Sequence, residues 1–276
     1  LAHPKLRAHS CEGQAPRAPQ AEGSFMQDKV ILITGGTSGI GLAVAQRCAK
    51  EGAAVVIAAR NKSERVVEQL TALGAVALML EVDVTDETGV QSMIKATLER
   101  FGRLDYAFNS AGTFAPEPDA HEHDSATWRE IMSVYLDGTY YCMKHQLRAM
   151  LDCAAPCAIV NNASTVGLRG SQSAGAGYTA AKHGVIGLTR QAAVEYAKSN
   201  VRVNAVCPGP THTPATAPLL QLPENELSDH LASLNPTAEL VPAEEIAETV
   251  VFLCSDRARM INGQALGLDG GQLAQL

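Results

Sequence analysis

No run of about 18 apolar residues occurs in the chain, so no segment has the length and hydrophobicity of a membrane-spanning helix. Positive charge is also scarce. Twenty-two Lys and Arg stand against 29 Asp and Glu, giving a net charge of −7, and the basic residues form no block. That removes the electrostatic footprint of a nucleic-acid or membrane-surface binder. Aromatic residues make up only 4% of the chain, yet three of its six tyrosines fall within one stretch, MSVYLDGTYY (132–141). The seven cysteines (Cys11, Cys48, Cys142, Cys153, Cys157, Cys207, Cys254) are odd in number and scattered. They suit the reduced, packed thiols of a cytoplasmic protein better than a disulfide framework. Metal ligands are missing too. Cys153 and Cys157 have no second pair, and DAHEHD (119–124), with His121 and His123, reads as a solvated polar loop, so no metal is expected. His145 and His183 lack evident partners, while His212 falls in a segment read as a lid, within reach of a substrate.

What is present is an apolar fraction of 46%, enough for a full core in 276 residues. Residues 1–25 show no periodicity and read as a leader outside the fold, a transit peptide being the alternative. From residue 26 to 276 short β-branched runs alternate with helical patterns, and no linker divides them. Apolar runs at 29–35, 53–60, 76–84, 104–112, 157–164, 201–209 and 265–271 read as strands. Patterns at 41–52, 63–74, 88–102, 177–199 and 243–255 read as helices, with a further long helix through the tyrosine stretch. Continuous apolar strands alternating with helices predict one doubly wound, Rossmann-type α/β domain, its parallel sheet of about seven strands covered on both faces. The Pro/Thr-rich segment 208–242 is expected to be a lid. Its leucines, among them Leu219, Leu220, Leu222, Leu227 and Leu231, serve either an apolar pocket or packing of the lid on the body.

TGGTSGIG follows the first strand directly and opens a helix, the context in which glycines let a backbone approach a pyrophosphate. Its spacing is TGxxxGxG. Further along come DVTD with Asp83 and Val84, NSAG with Asn109, Ala111 and Gly112, and Ser164 at a strand end. Tyr178 and Lys182 then form YxxxK, CPGP is followed by Thr211 and Thr213, and INGQALGLDGG lies near the end. In this order and spacing the chain resembles the short-chain dehydrogenase/reductase family over about residues 28–272. The resemblance implies hydride transfer between a nicotinamide cofactor and a secondary alcohol or ketone, with Tyr178 as acid/base and Ser164 on the substrate oxygen. It also implies cofactor contacts from Gly35, Thr37, Ser38, Gly39, Ile40, Gly41, Asp83, Val84, Asn109, Ala111 and Gly112, and from Pro208, Gly209, Thr211 and Thr213 over the nicotinamide. Lys182 would clasp the ribose, and a homotetramer or homodimer is implied. Residue chemistry agrees, because Tyr178 and Lys182, four apart, share a helix face, and an ammonium beside a phenol favours the phenolate.

The second strand ends Ala59–Arg60 without the acid that binds a ribose 2′-OH, and Arg60 suits a 2′-phosphate. NADP(H) is therefore favoured, with NAD(H) the alternative. In the tyrosine stretch, Thr127 and Glu130 form a capping-box pattern that predicts a helix start near Trp128. Counting onward puts Trp128, Ile131, Met132, Tyr135, Cys142, Gln146 and Met150 on one face, with Tyr140 and Tyr141 to its sides for packing or a subunit contact. Where the family pattern reads NLxG this chain has YLDG, so Tyr135 stands in place of the asparagine of a Ser–Tyr–Lys–Asn tetrad and its water relay. Two readings follow: an active oxidoreductase, or a nicotinamide-binding sensor that has lost chemistry. Retention of Ser164, Tyr178 and Lys182 favours the enzyme.

Overall fold

The computed structural model describes residues 24–112, 117–153, 155–172 and 174–275. Cys11 and nearly all of the expected leader lie outside these residues. The elements are β1 (Val30–Thr34), α1 (Gly39–Lys50), β2 (Ala54–Ala59), α2 (Glu64–Ala72), β3 (Ala77–Glu81), α3 (Glu87–Phe101) and β4 (Tyr106–Asn109). Next come α4 (Ser125–Met132), a π-helical turn (Ser133–Asp137), α5 (Gly138–Leu151), β5 (Cys157–Asn162) and α6 (Ala176–Glu195). β6 (Val201–Pro208), β7 (Thr211–His212), α7 (Glu224–Leu234), β8 (Val241–Pro242), α8 (Ala243–Cys254) and β9 (Ala265–Leu268) complete the order.

Seven strands form one sheet in the order β3-β2-β1-β4-β5-β6-β9, with every neighbouring pair parallel. The fold is Rossmann-type, as the alternation of apolar runs and helical patterns requires. Strand side chains alternate between two cores. Ile31, Ile33, Val55 and Ile57 meet α1 and α8, while Val30, Leu32, Val56 and Ala58 meet the face covered by α3 and α5. Each fully buried branched side chain contributes about 1.5–3 kcal/mol, which explains why these strands read as unbroken apolar runs. Among the described residues no helix is long and apolar enough to cross a membrane, and no group of three metal-ligating side chains occurs.

The helix through the tyrosine stretch departs from expectation twice. It starts earlier, because Asp124 is the N-cap: its Oδ1 accepts from the N–H groups of Ala126 and Thr127 at 2.8 and 2.9 Å. Thr127 Oγ1 donates to Asp124 Oδ2 at 2.6 Å, so Thr127 is a partner of the cap rather than the cap itself. The helix is also not continuous. The π turn at Ser133–Asp137 inserts extra backbone between α4 and α5, which breaks the expected single apolar face. Trp128 is exposed and Tyr135 buried. Tyr140 is exposed, whereas Tyr141 packs against the core.

In the segment expected to be a lid, a short β7–β8 pairing closes the base and α7, 11 residues long, is its longest regular element. Leu220 and Leu222 are exposed there.

Candidate active site

The site lies at the carboxyl ends of β1, β4, β5 and β6, beside the point where the strand order turns back on itself. β1 runs into Gly35, whose φ of +71° is in the left-handed region. A Cβ there would stand 2.7 Å from the Ser110 carbonyl oxygen. Thr34 Oγ1 accepts from the backbone N–H groups of Ser110 and Ala111 at 3.1 and 3.2 Å, bolting the glycine turn to the NSAG turn. A Cβ on Gly41 would collide with the Gly35 carbonyl. Ser38 is the extended N-cap of α1, and its side chain makes no capping bond. The first-turn N–H groups of α1 therefore suit an anionic group, and the cradle fits a dinucleotide pyrophosphate.

A groove of about 380 Å³ follows from this cradle. Gly35, Thr37, Ser38, Arg60, Asp83, Val84, Ala111 and Gly112 line one part of it, and Glu117, Thr127, Glu130, Tyr135 and Tyr178 line another. Asp83 folds its carboxylate onto the Thr85 N–H and hydroxyl at 2.9 and 2.8 Å. Those bonds, with the charge of Arg60, hold it below the usual carboxylate range.

Several expected cofactor contacts do not line the groove. Asn109 is buried, its amide nitrogen donating to Gln146 Oε1 at 3.0 Å and to Asn161 Oδ1 at 2.9 Å. Its side chain rivets β4 to β5 and α5, and it supports the NSAG turn from below. Gly39, Ile40 and Gly41 form the first turn of α1. Pro208 ends β6 and Gly209, Thr211 and Thr213 follow it, Thr211 Oγ1 donating to the Gly209 carbonyl at 2.9 Å. The Thr213 methyl would lie 3.3 Å from a Cβ on Gly39, so this loop packs on the glycine turn. His212 is exposed and outside the groove lining.

The side chains of Ser164, Tyr178 and Lys182 come together. Ser164 follows β5; its side chain faces Tyr178 and favours the ionised phenol, and its backbone N–H likewise favours the ionised form of the buried Cys207 thiol. Tyr178 is on the first turn of α6, and Lys182 lies one turn on. Lys182 Nζ donates to the Asn162 carbonyl at 2.6 Å. The same ammonium is 5.1 Å from the ring centroid of Tyr135 and 5.4 Å from that of Tyr178. The two rings meet edge to face with centroids 5.0 Å apart. Aromatic faces attract a desolvated cation, so Tyr135 helps hold Lys182 in place.

Burial pushes the Tyr178 phenol up to about 12; the nearby Ser164 side chain opposes this and the Glu117 carboxylate adds to it. Burial pushes the Lys182 ammonium down to about 8. The neighbouring lysine was expected to leave the phenol below its ordinary value, but desolvation of both groups outweighs their pairing.

Sequence reasoning missed Glu117. Its Oε2 accepts from the Gly177 N–H and its Oε1 from the Tyr178 N–H, each at 2.9 Å. His123 Nε2 lies 2.8 Å from Oε2, and both side chains are only 4% exposed. DAHEHD is thus not uniformly solvated: His121 faces water, while His123 is folded against Glu117 and the edge of Trp128. Asn162 and Ser110 were missed as well. Asn162 Nδ2 donates to Ser110 Oγ at 2.9 Å, so the serine of NSAG steadies the residue that receives Lys182.

A short-chain dehydrogenase model described as Enoyl-(Acyl carrier protein) reductase matches residues 35–272. The chain belongs to the short-chain dehydrogenase/reductase family. It is 40% identical to cis-4-hydroxycyclohexanecarboxylate dehydrogenase of Sinomonas cyclohexanicum, over 91% of this chain and 99% of that one. The solved levodione reductase superposes with a TM-score of 0.83 at 36% identity, covering 91% of this chain and 100% of that one. An actinorhodin polyketide ketoreductase variant solved with NADPH gives 0.81 at 34% identity, over 90% of this chain and 98% of that one. As a short-chain dehydrogenase/reductase the protein is an oxidoreductase, and the sensor reading gains no support.

Proposed function

We propose that the protein is an NADP(H)-dependent oxidoreductase interconverting a secondary alcohol and its ketone on a small cyclic molecule. The observation that carries this reading is Tyr178 at a groove that also reaches Arg60, with the Lys182 ammonium 5.4 Å from its ring and Ser164 facing it. The nicotinamide cofactor supplies or accepts the hydride. Gly35 through Gly41 would hold its pyrophosphate, Arg60 the 2′-phosphate, Asp83 and Val84 the adenine, and Ala111 and Gly112 the adjoining ribose. Lys182 would bind the nicotinamide ribose, and Pro208, Gly209, Thr211 and Thr213 would lie over the nicotinamide.

In ketone reduction Tyr178 Oη gives its proton to the carbonyl oxygen, and in alcohol oxidation it takes the hydroxyl proton. Ser164 Oγ donates to the same oxygen and stabilises the charge that develops there. Lys182, held by the Asn162 carbonyl and the Tyr135 ring, keeps a positive charge beside the phenolate. Tyr135 occupies the tetrad position of asparagine, so its ring takes over from an amide the task of holding Lys182. Absence of an acid at Ala59 leaves a 2′-phosphate unopposed. One relative reported above is named for a cyclohexane bearing a secondary alcohol, which supports the substrate class.

The test is a panel of cyclic secondary alcohols and ketones assayed with each cofactor. Turnover of at least one ketone with NADPH, exceeding that with NADH at equal concentration, is expected. Consistent preference for NADH would overturn the cofactor assignment.

A further inference from the structure

Glu117 is a carboxylate at the one place in the groove where the reaction occurs, and the family signature does not account for it. Its two oxygens take the N–H groups of Gly177 and Tyr178, so a segment 60 residues away caps the helix that carries the acid/base. His123 closes the remaining side of the carboxylate. A carboxylate at a helix N-terminus is favoured by the helix dipole.

The charged side chains that line this end of the groove are both acidic, and His123 is paired with one of them. Glu117 and Glu130 line it together with Thr127, Ile131, Tyr135 and Tyr178, and Arg60, the groove's one lining cation among the described residues, is grouped with Asp83. Behind Tyr178 the ammonium of Lys182 is taken by the Asn162 carbonyl. Neither the 112–124 sequence nor the 208–242 segment contains a single Lys or Arg. Among the described residues, no lysine or arginine lines this end of the groove to pair with an anionic substrate.

Resting on the dehydrogenase reading above, we infer that Glu117, clamped by His123, is a positioning and specificity-determining residue: it fixes the backbone of Tyr178 and selects uncharged substrates over anionic ones. This separates the protein from its 40%-identical relative, whose named substrate carries a carboxylate. The charge also acts on the acid/base. Tyr178 is faced by Glu117 from the loop, Ser164 after β5, Lys182 on its own helix and the Tyr135 ring from the π turn. Of these, Glu117 holds the phenol proton more tightly.

The experiment uses two probes that differ in charge and one ester methyl, methyl 4-oxocyclohexanecarboxylate and 4-oxocyclohexanecarboxylate, reduced with NADPH. Wild type is expected to favour the ester in kcat/KM by about tenfold, the factor a like charge nearby imposes in a partly screened site. Glu117→Gln keeps one acceptor and removes the charge, so the preference should shrink several-fold. Its pH–rate limb for alcohol oxidation should move to lower pH, which loss of a purely structural contact would not cause. If that variant fails to fold, His123→Gln, which leaves the Glu117 charge in place, should retain the ester preference. An acid reduced as well as the ester by wild type, or a ratio unchanged in Glu117→Gln, overturns the inference. If neither probe is reduced the dehydrogenase reading is damaged separately, and binding of both to the NADPH complex still decides: tighter ester binding supports the charge selection, and equal binding overturns it.

Discussion

Lys182 should make the protein less stable at neutral pH than at alkaline pH, by an amount that can be isolated. Its ammonium is buried and its pKa lies at about 8 rather than 10.5. In the unfolded chain the lysine keeps its proton up to about 10.5, whereas in the folded protein it gives it up from about 8 upward. Between those values the unfolded state binds more protons, so folding stability rises with pH across that window. Below pH 8 the full penalty is present. The fall from 10.5 to about 8, at about 1.4 kcal/mol per pH unit, amounts to ~3 kcal/mol. Lys182→Met removes the titration but also leaves the Asn162 carbonyl without its 2.6 Å donor. That loss costs about 1–3 kcal/mol and varies little with pH. The informative quantity is therefore the stability of Lys182→Met minus that of wild type, from urea unfolding at pH 7, 8, 9 and 10. The difference should decline in favour of wild type by ~2–3 kcal/mol over that range. A flat difference would show that Lys182 titrates as an ordinary surface lysine, and the account of a desolvated ammonium between two aromatic rings would be wrong.

Three further outcomes follow from the same geometry. Ala59→Asp, placing a carboxylate at the end of β2, should weaken NADPH relative to NADH by about 10- to 100-fold in fluorescence titrations, each factor of ten being ~1.4 kcal/mol of lost complementarity. Gly41→Ala forces a methyl against the Gly35 carbonyl, and a drop of about 1–3 kcal/mol in unfolding free energy is expected, with cofactor affinity falling alongside. Asn161→Ala breaks the fully buried amide that accepts from Asn109 and donates to Thr189 Oγ1 at 2.9 Å. Leaving those polar groups unpaired should cost ~2–4 kcal/mol in thermal unfolding, and a change below 0.5 kcal/mol would contradict the rivet role.

The parallel sheet was legible because strands buried on both faces must be apolar without interruption, as VILIT and AVVIAA are. The cradle was legible because only glycine tolerates what Gly35 and Gly41 meet. The π turn was not, since YLDG continues a helical pattern and nothing in the residue types announces one extra backbone step. Thr127 and Glu130 suggested a cap that Asp124, a stronger acceptor three residues earlier, takes instead. Glu117 was invisible for a different reason. Its partners are backbone N–H groups 60 residues away, and a cap delivered from a distant loop leaves no local spacing to read. His123 followed it into obscurity, because a histidine amid acids looks solvated until its partner is placed.

The central claim, that Tyr178 is the proton donor and acceptor for hydride transfer, is tested most directly by Tyr178→Phe. The ring and its edge-to-face contact with Tyr135 are preserved in that variant, and only the hydroxyl is lost. The account predicts that NADPH binding, followed by its fluorescence, stays within about twofold of wild type. Ketone reduction should fall by at least 10²-fold, the scale of a lost general acid. Turnover within a few-fold of wild type, with the cofactor bound, would contradict it.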